Sequence, residues 1–253
     1  MTDLSVLEML AVILAGAGAG LINTVVGSGT LITFPVLLAV GYPPVTANVS
    51  NNIGLVPGSV SGVIGYRREL AGKWKRVARL AIASTTGGLV GAILLLALPA
   101  SAFKAIVPAF IVIALVLIIF QPKIGPWLAK RRPPDAHAGP ALLAGVFVAG
   151  IYGGYFGAAQ GIMLLALLGL SLPDDLQTVN AFKNVLAGLV NFVAAIVFIF
   201  AAHIAWLAAL LIAVGAVVGA QIGARYGRRL SPTALRVIIV IVGITAIVRL
   251  LAT

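Results

Sequence analysis

The chain contains no cysteine and very little charge. Of its 253 residues, 9% are charged, only 6 are aspartate or glutamate, and 61% are hydrophobic. The lack of cysteine excludes disulfides and thiolate chemistry. A water-soluble domain has about a quarter of its residues charged. The composition therefore excludes an ordinary hydrated surface and predicts a protein embedded in the lipid bilayer.

Catalytic motifs are also missing from the sequence. It has no Walker-type phosphate loop, no histidine pair with zinc-ligand spacing and no nucleophile elbow. We therefore expect no catalytic residues, no metal site and no cofactor. The net charge of +11 does not predict a nucleic-acid partner, because the basic residues cluster in short loops between apolar runs. That distribution is typical of the cytoplasmic loops of membrane proteins.

Long apolar runs make up most of the chain. A membrane-spanning helix needs about 20 apolar residues. The sequence predicts an all-α polytopic protein with eight such segments, at 4–26, 44–66, 77–98, 101–121, 140–157, 176–200, 207–225 and 233–251. Two shorter apolar segments, at 29–40 and 160–170, follow the first long segment of each half. Short segments in matching positions are typical of broken helices around a transport site.

The two halves of the chain resemble each other. A shift of 130 residues places Gly27 on Gly157, and a shift of 132 residues places Asn48 on Asn180. We predict two homologous transmembrane repeats, at 1–122 and 140–253, joined by a basic cytoplasmic linker at 123–139. The alternative is the weak similarity that any two membrane stretches show.

The basic loops at 67–79, 123–132 and 225–229 determine the predicted topology. If each short segment re-enters on one side, the third loop lies opposite the other two. If each short segment crosses, or helps a broken helix to cross, all three loops share one face. The bias of lysine and arginine towards the cytoplasm favours crossing. That choice predicts inverted repeats, with both termini outside.

Each half contains a glycine-rich interruption of its apolar pattern. Helix breaks are tolerated in lipid only against protein or a hydrated cavity. A helix that begins after a break directs free N–H groups and its positive dipole end at the break, which suits an anion. Close helix packing through small residues is the alternative interpretation. The candidate binding residues of the two breaks are Asn23, Gly27, Ser28, Gly29, Thr30, Gly157 and Gln160.

A polar stripe follows each short segment. Residues four apart share one face of a helix, and buried amides face the protein interior because lipid cannot satisfy them. Helix capping or helix association is the alternative role. These candidate binding residues are Asn48, Asn51, Asn52, Asn180 and Asn184.

Lys183 lies within the second stripe, several residues beyond Asp175. An ammonium inside a membrane segment is by default a functional-site hypothesis. Since no acid lies in the middle of any span, we expect a bound anion to be its counter-charge. The alternatives are a lysine that extends to the membrane interface and a proton-coupling group.

The run Val26-Gly27-Ser28-Gly29-Thr30-Leu31-Ile32-Thr33-Phe34-Pro35, and its second copy Phe156-Gly157-Ala158-Ala159-Gln160-Gly161, carry a family resemblance. They resemble the sulfite exporter TauE/SafE family, also called the toluene-sulfonate uptake permease family. The resemblance implies secondary transport, commonly export, of sulfur-containing anions such as sulfite or organosulfonates.

We therefore expect a secondary carrier of small anions in the bacterial inner membrane, working by alternating access between its two repeats. Its partners would be the anionic substrate and the lipid bilayer, and a homodimer is one assembly it could form. The alternatives are a channel-like anion uniporter and a membrane-embedded enzyme or scaffold.

Overall fold

The computed structural model describes residues 4–131 and 139–227, together with scattered positions between 233 and 245. Every regular element bounded within the described ranges is an α-helix, which confirms the all-α prediction. The predicted segment at 233–251 and the end of the predicted linker lie largely outside the described residues. The bounded helices are α1 Val6–Val25, α2 Thr30–Ala39, α3 Pro44–Gly65, α4 Trp74–Ala97, α5 Ala100–Arg131, α6 Pro140–Tyr155, α7 Gln160–Ser171, α8 Leu176–Ala201 and α9 Trp206–Tyr226.

Within the described part of the chain, five helices are long and apolar enough to cross a membrane, which supports a multi-pass protein. They are α1, α4, α5, α8 and α9. Two other predicted long segments differ from this set. Helix α3 has 22 residues, but Asn48, Asn51 and several serines lower its mean hydropathy. Helix α6 has only 16 residues, because it ends before the second break.

The two short segments are confirmed as helices. Helix α2 has 10 residues and α7 has 12, so each is about 15–18 Å long. That is roughly half of a 30 Å hydrocarbon core. Each follows a glycine with a positive φ, Gly27 before α2 and Gly157 before α7.

Close contacts show that α1, α3 and α9 run in the same direction. Residue numbers rise together along each pair of neighbouring helices. The contacts that establish this are Gly16–Ile212, Gly20–Ala216, Gly54–Ile212 and Gly58–Ala216. Consequently the end of α3 and the end of α9, each followed by basic residues, lie at the same end of the bundle.

Helices α4, α6 and α8 form a second parallel set, as shown by the pairs Gly87–Phe147, Gly91–Ile151, Ser84–Leu186 and Gly88–Val190. This set is antiparallel to the first, because Asn52 meets Asn191 whereas Ser59, further along α3, meets Gly188, earlier on α8. One buried apolar cluster is centred on α1, α2, α5 and α9, and a second on α4, α6, α7 and α8.

The loop between α7 and α8 forms ion pairs with the basic segment around the start of α4. Asp174 forms ion pairs with Lys73 and Arg76. These contacts join the two halves of the chain at the end of the bundle where α3 terminates.

Candidate functional site

The first break is a compact turn between α1 and α2. The N–H groups of Val26 and Gly27 donate to the carbonyl oxygen of Ile22 at 2.7 and 2.8 Å, which closes α1. Gly27 has φ of +91°. The Asn23 side-chain oxygen accepts a hydrogen bond of 2.7 Å from the Gly29 N–H. The predicted candidates Gly27, Gly29 and Asn23 therefore shape the turn itself.

The second break has the same outline but different chemistry. The N–H groups of Phe156 and Gly157 both donate to the carbonyl oxygen of Tyr152 at 3.0 Å. The Tyr152 hydroxyl donates to the carbonyl oxygen of Ala158. Ala159 has φ of +62°, a left-handed conformation that is unfavourable for a residue with a Cβ.

The two breaks touch each other through their backbones. The Gly161 N–H donates to the Gly27 carbonyl oxygen at 3.1 Å. A Cβ atom on Gly27 would lie 2.5 Å from the Cα of Gly161. Only glycine fits at this contact, which brings the first half of the chain directly against the second.

Side chains of α8 cap the free carbonyl end of α1. The last carbonyl groups of a helix lack partners within it. The Lys183 ammonium donates to the carbonyl oxygens of Asn23 at 2.7 Å and Thr24 at 3.3 Å. Asn180 and Asn184 donate to the Thr24 oxygen at 3.1 and 3.3 Å. Lys183 is only 1% exposed, so this lysine does not extend to the interface.

These contacts bring three donors to a single carbonyl oxygen. Three α8 side chains approach the Thr24 oxygen, whereas a carbonyl oxygen offers two lone pairs. The ammonium of Lys183 has three N–H groups, and two carbonyl oxygens accept from it. Among the described residues, no carboxylate forms an ion pair with Lys183.

The amides of α3 also form hydrogen bonds around the two breaks. Asn48 donates to the Tyr155 carbonyl oxygen at 3.0 Å, at the end of α6. Asn51, which aligns with Lys183, instead bonds to α2: its oxygen accepts from the Thr33 hydroxyl, and its nitrogen is 3.4 Å from the Thr30 hydroxyl. The α3 stripe therefore holds the breaks in place.

A cavity lies beside both breaks, where α3 and α8 cross. Its volume is about 30 Å³, which is room for roughly two water molecules. The predicted residues that line it are Asn23, Gly27, Thr30, Gly157, Gln160, Lys183 and Asn184. The predicted residues outside its lining are Ser28, Gly29, Asn48, Asn51, Asn52 and Asn180.

Sequence reasoning missed Ser59 and Asn191, which line the cavity and contact each other. Asn191 accepts from Asn52 at 3.3 Å, and its nitrogen is 3.5 Å from the Ser59 hydroxyl. Ser59 and Asn191 each follow a predicted amide, Asn52 or Asn184, by seven residues, which is two helical turns on the same face. That spacing could have identified both residues from the sequence. The remaining missed lining residues are Gly20, Thr24, Leu55, Gly58, Gly62, Gly161 and Ala187.

Gln160 presents an unpartnered donor at this cavity. The residue is 3% exposed, and its side-chain nitrogen has no hydrogen-bond partner among the described residues. A Cβ atom at position 153 would lie 2.2 Å from the amide carbon of Gln160, so Gly153 makes room for this side chain. Gly153 aligns with Asn23, and Gln160 fills the space of that missing side chain.

An aromatic cluster surrounds the second break. Ring centroids of neighbouring members lie 5.0–6.4 Å apart, a range typical of packed aromatic pairs. The cluster consists of Phe34, Phe103, Phe110, Tyr152, Tyr155 and Phe156. None of these residues lines the cavity. Among the described residues, no group of three or more histidines, cysteines or acids could hold a metal ion.

An all-helical, multi-pass architecture with a buried polar cavity between paired helix breaks defines a membrane protein of the transporter class. A profile of the sulfite exporter TauE/SafE family matches residues 12–250. The chain therefore belongs to the TauE/SafE sulfite exporter family, and it is a multi-pass membrane protein of a transporter family.

Three bacterial relatives carry names that agree with this assignment. A "probable membrane transporter protein" of Haemophilus influenzae is 32% identical over 66% of this chain, and YfcA of Escherichia coli K12, with the same description, is 31% identical over 69%. In both, the match spans 66% of the relative, slightly under two thirds of its length. The "probable membrane transporter protein ORF9" of a Sinorhizobium species is 30% identical over 100% of this chain and 95% of its own length.

Proposed function

We propose that this protein is a secondary carrier of small anions and that its substrate binds in the cavity between the two breaks. The observation that carries the proposal is Lys183, a buried ammonium at the cavity whose partners among the described residues are carbonyl oxygens rather than a carboxylate. Burying a charge is costly unless it is compensated. A bound anion would supply the missing opposite charge.

The hydrogen-bond balance of the cavity supports the same substrate class. Lys183 has three N–H groups and two carbonyl acceptors among the described residues, and the Gln160 side-chain nitrogen has no partner among them. Helix α7 begins at Gln160, so its positive dipole end lies at the cavity wall. A ligand rich in acceptor oxygens satisfies these donors better than a cation or an apolar molecule does. The family description adds sulfite as the expected anion and export as the direction, and the sequence resemblance extends the expected substrates to organosulfonates.

Helix directions support inverted repeats. Helices α1 and α6 open the two halves and belong to opposite parallel sets, and so do α3 and α8. The packing is also exchanged between halves, because α1 packs on α9 as α6 packs on α4. With the basic ends of α3 and α9 on the cytoplasmic side, the N-terminus lies outside. A reporter fused to the C-terminus tests this topology, and a cytoplasmic signal would contradict it.

The position of the cavity supports alternating access. It contains both members of aligned pairs, such as Thr30 with Gln160 and Ser59 with Asn191, so it lies where the repeats meet. It extends along Gly58 of α3 but not along the aligned Val190 of α8. We infer that the structure represents a conformation in which the cavity is displaced towards the end of the bundle where α3 terminates. Exchange of the repeat conformations would displace the cavity towards the other end.

The test of this function combines anion binding with anion flux. Purified protein is screened for thermal stabilisation by sulfite, sulfonates and carboxylates, and flux is measured in reconstituted vesicles. Lys183→Ala should abolish both the anion-induced stabilisation and the flux. Lys104→Ala, at an exposed lysine near the start of α5, is the matched control and should retain both. Unchanged binding and flux in Lys183→Ala would place the site elsewhere.

A further inference from the structure

The free carbonyl end of α1 is held by a cation that belongs to the protein itself. The C-terminal end of a helix carries the negative end of its dipole. In carriers with broken helices, such ends and unwound carbonyl groups commonly coordinate the coupling ion. Here the Lys183 ammonium occupies that position, 2.7 Å from the Asn23 oxygen and 3.3 Å from the Thr24 oxygen.

A further oxygen at this position lacks a partner. Asn180 donates its nitrogen to the Thr24 oxygen at 3.1 Å. The oxygen of the same amide is buried and has no hydrogen-bond partner among the described residues, and Asn180 as a whole is only 6% exposed. The Asn23 and Thr24 carbonyl oxygens accept from Lys183, and the Asn180 amide contacts one of them through its nitrogen. Neutral oxygens of this kind are ligands of hard cations.

Nearby charged groups do not neutralise this position. The acids closest to Lys183 along α8 are Asp174 and Asp175, in the preceding loop. Asp174 pairs with Lys73 and Arg76. Asp175 accepts hydrogen bonds from the first turn of α8. The carbonyl oxygens at the negative end of the α1 dipole therefore provide part of the compensation for the positive charge of Lys183.

We propose that the Lys183 ammonium substitutes for a bound alkali-metal ion at the end of α1, so that removing this side chain creates a monovalent-cation site there. The native protein then needs no sodium or potassium to hold the first break in shape. A variant without the ammonium exposes the Asn23 and Thr24 carbonyl oxygens to a free ion of the same charge.

The experiment compares thermal stability in sodium, potassium and N-methylglucamine chloride at equal ionic strength, with no test anion added. Native protein should melt at the same temperature in all three salts. Lys183→Ala and Lys183→Ser should melt lower in N-methylglucamine and regain about 5 °C, saturably, in sodium or potassium, the shift expected for an ion at about 100 times its dissociation constant. Lys183→Arg, which keeps a cation, and Lys104→Ala should show no dependence on the salt.

Equal melting temperatures of Lys183→Ala and Lys183→Ser in the three salts would overturn the proposal. Variants that are unfolded in every salt count against it in the same way, because the proposal requires an ion to restore the site. The result is independent of the proposed carrier function. If sulfite and sulfonates do not stabilise the native protein, that result counts against the proposed carrier function alone. The response of the variants to alkali-metal ions still decides the proposal about Lys183.

Discussion

The first break, Gly27 to Thr30, and the second break, Gly157 to Gln160, occupy aligned positions in the two halves but have different surroundings. Both line the polar cavity, but only the first contacts the capping group of α8, which includes Lys183. The second has Ala158 and Ala159 in its turn and lies among packed aromatic rings such as that of Phe156.

The same contrast is seen in the helices that support the breaks. Lys183 of α8 reaches across to the end of α1, in the other half of the chain. The aligned Asn51 of α3 bonds to Thr33 within its own half. The aligned breaks thus differ in chemistry, with a buried ammonium at the first and aromatic packing around the second.

The largest effect is expected at the glycines of the two breaks. An alanine at either position must adopt a left-handed conformation, which costs about 1–2 kcal/mol. At Gly27 the new Cβ would also lie 2.5 Å from the Gly161 backbone, whereas at Gly157 the nearest atom is the Gly153 oxygen at 3.0 Å. Gly27→Ala should therefore lose more than about 3 kcal/mol of stability once overpacking is included, and Gly157→Ala less.

Gly72 provides the matched control for these two glycines. Its φ is +74°, and a Cβ there would meet no atom within 4 Å. Gly72→Ala should show the conformational cost alone, about 1–2 kcal/mol. Thermal melting of the three variants in detergent measures the order. If Gly27→Ala melted as high as Gly72→Ala, the close contact between the breaks would not exist in the protein.

An intermediate effect is expected at Gln160 and Thr30, the aligned first residues of α7 and α2. Both line the cavity. The Gln160 nitrogen is unpartnered, whereas the Thr30 hydroxyl is approached by Asn51. Gln160→Ala should weaken anion binding about tenfold, which corresponds to about 1.4 kcal/mol, and Thr30→Val should weaken it less. Anion titrations followed by thermal shift give both ratios. The reverse order would assign the free donor to the first break instead.

Much of this architecture is predictable from residue patterns. The glycine breaks and the short helices behind them follow from local composition, and the burial of Lys183 follows from its place in an apolar run. The capping of α1 by α8 does not, because it joins residues about 160 positions apart, and no local pattern specifies such a contact. Asn191 was missed because a single amide in an apolar helix does not by itself indicate a site. Only its spacing of seven residues from Asn184 places it on the same helical face.

The number of long spans shows a different limit. A window of hydropathy predicts a span wherever apolar residues are frequent, so α3 was predicted together with the lipid-facing helices. Its buried face carries Asn48, Asn51 and Asn52. These polar side chains lower its hydropathy, and the membrane tolerates them because they face protein rather than lipid. Polar residues that support the breaks are thus among those that weaken the membrane signal.

The smallest effect is expected at the aligned starts of α8 and α3. Asp175 caps α8, accepting from the N–H groups of Gln177 and Thr178 at 2.9 and 3.1 Å, whereas α3 begins after Pro43 with no side-chain cap. The hydrogen bond from the Thr178 hydroxyl, with those from the backbone, holds the pKa of Asp175 below its ordinary value. Because the folded-state pKa is lowered, the cap contributes its full stability above the unfolded-state pKa, and this stability is lost as the pH falls through the folded-state pKa.

Asp175→Ala should therefore lower the free energy of unfolding by about 1 kcal/mol at neutral pH. The gap in stability between this variant and the native protein should close as the pH falls through this acidic range. Thr46→Ala, near the start of α3, should show no such pH dependence. Melting curves of both variants and the native protein across that range measure the gap, and a gap independent of pH would show that the carboxylate charge contributes nothing to the start of α8.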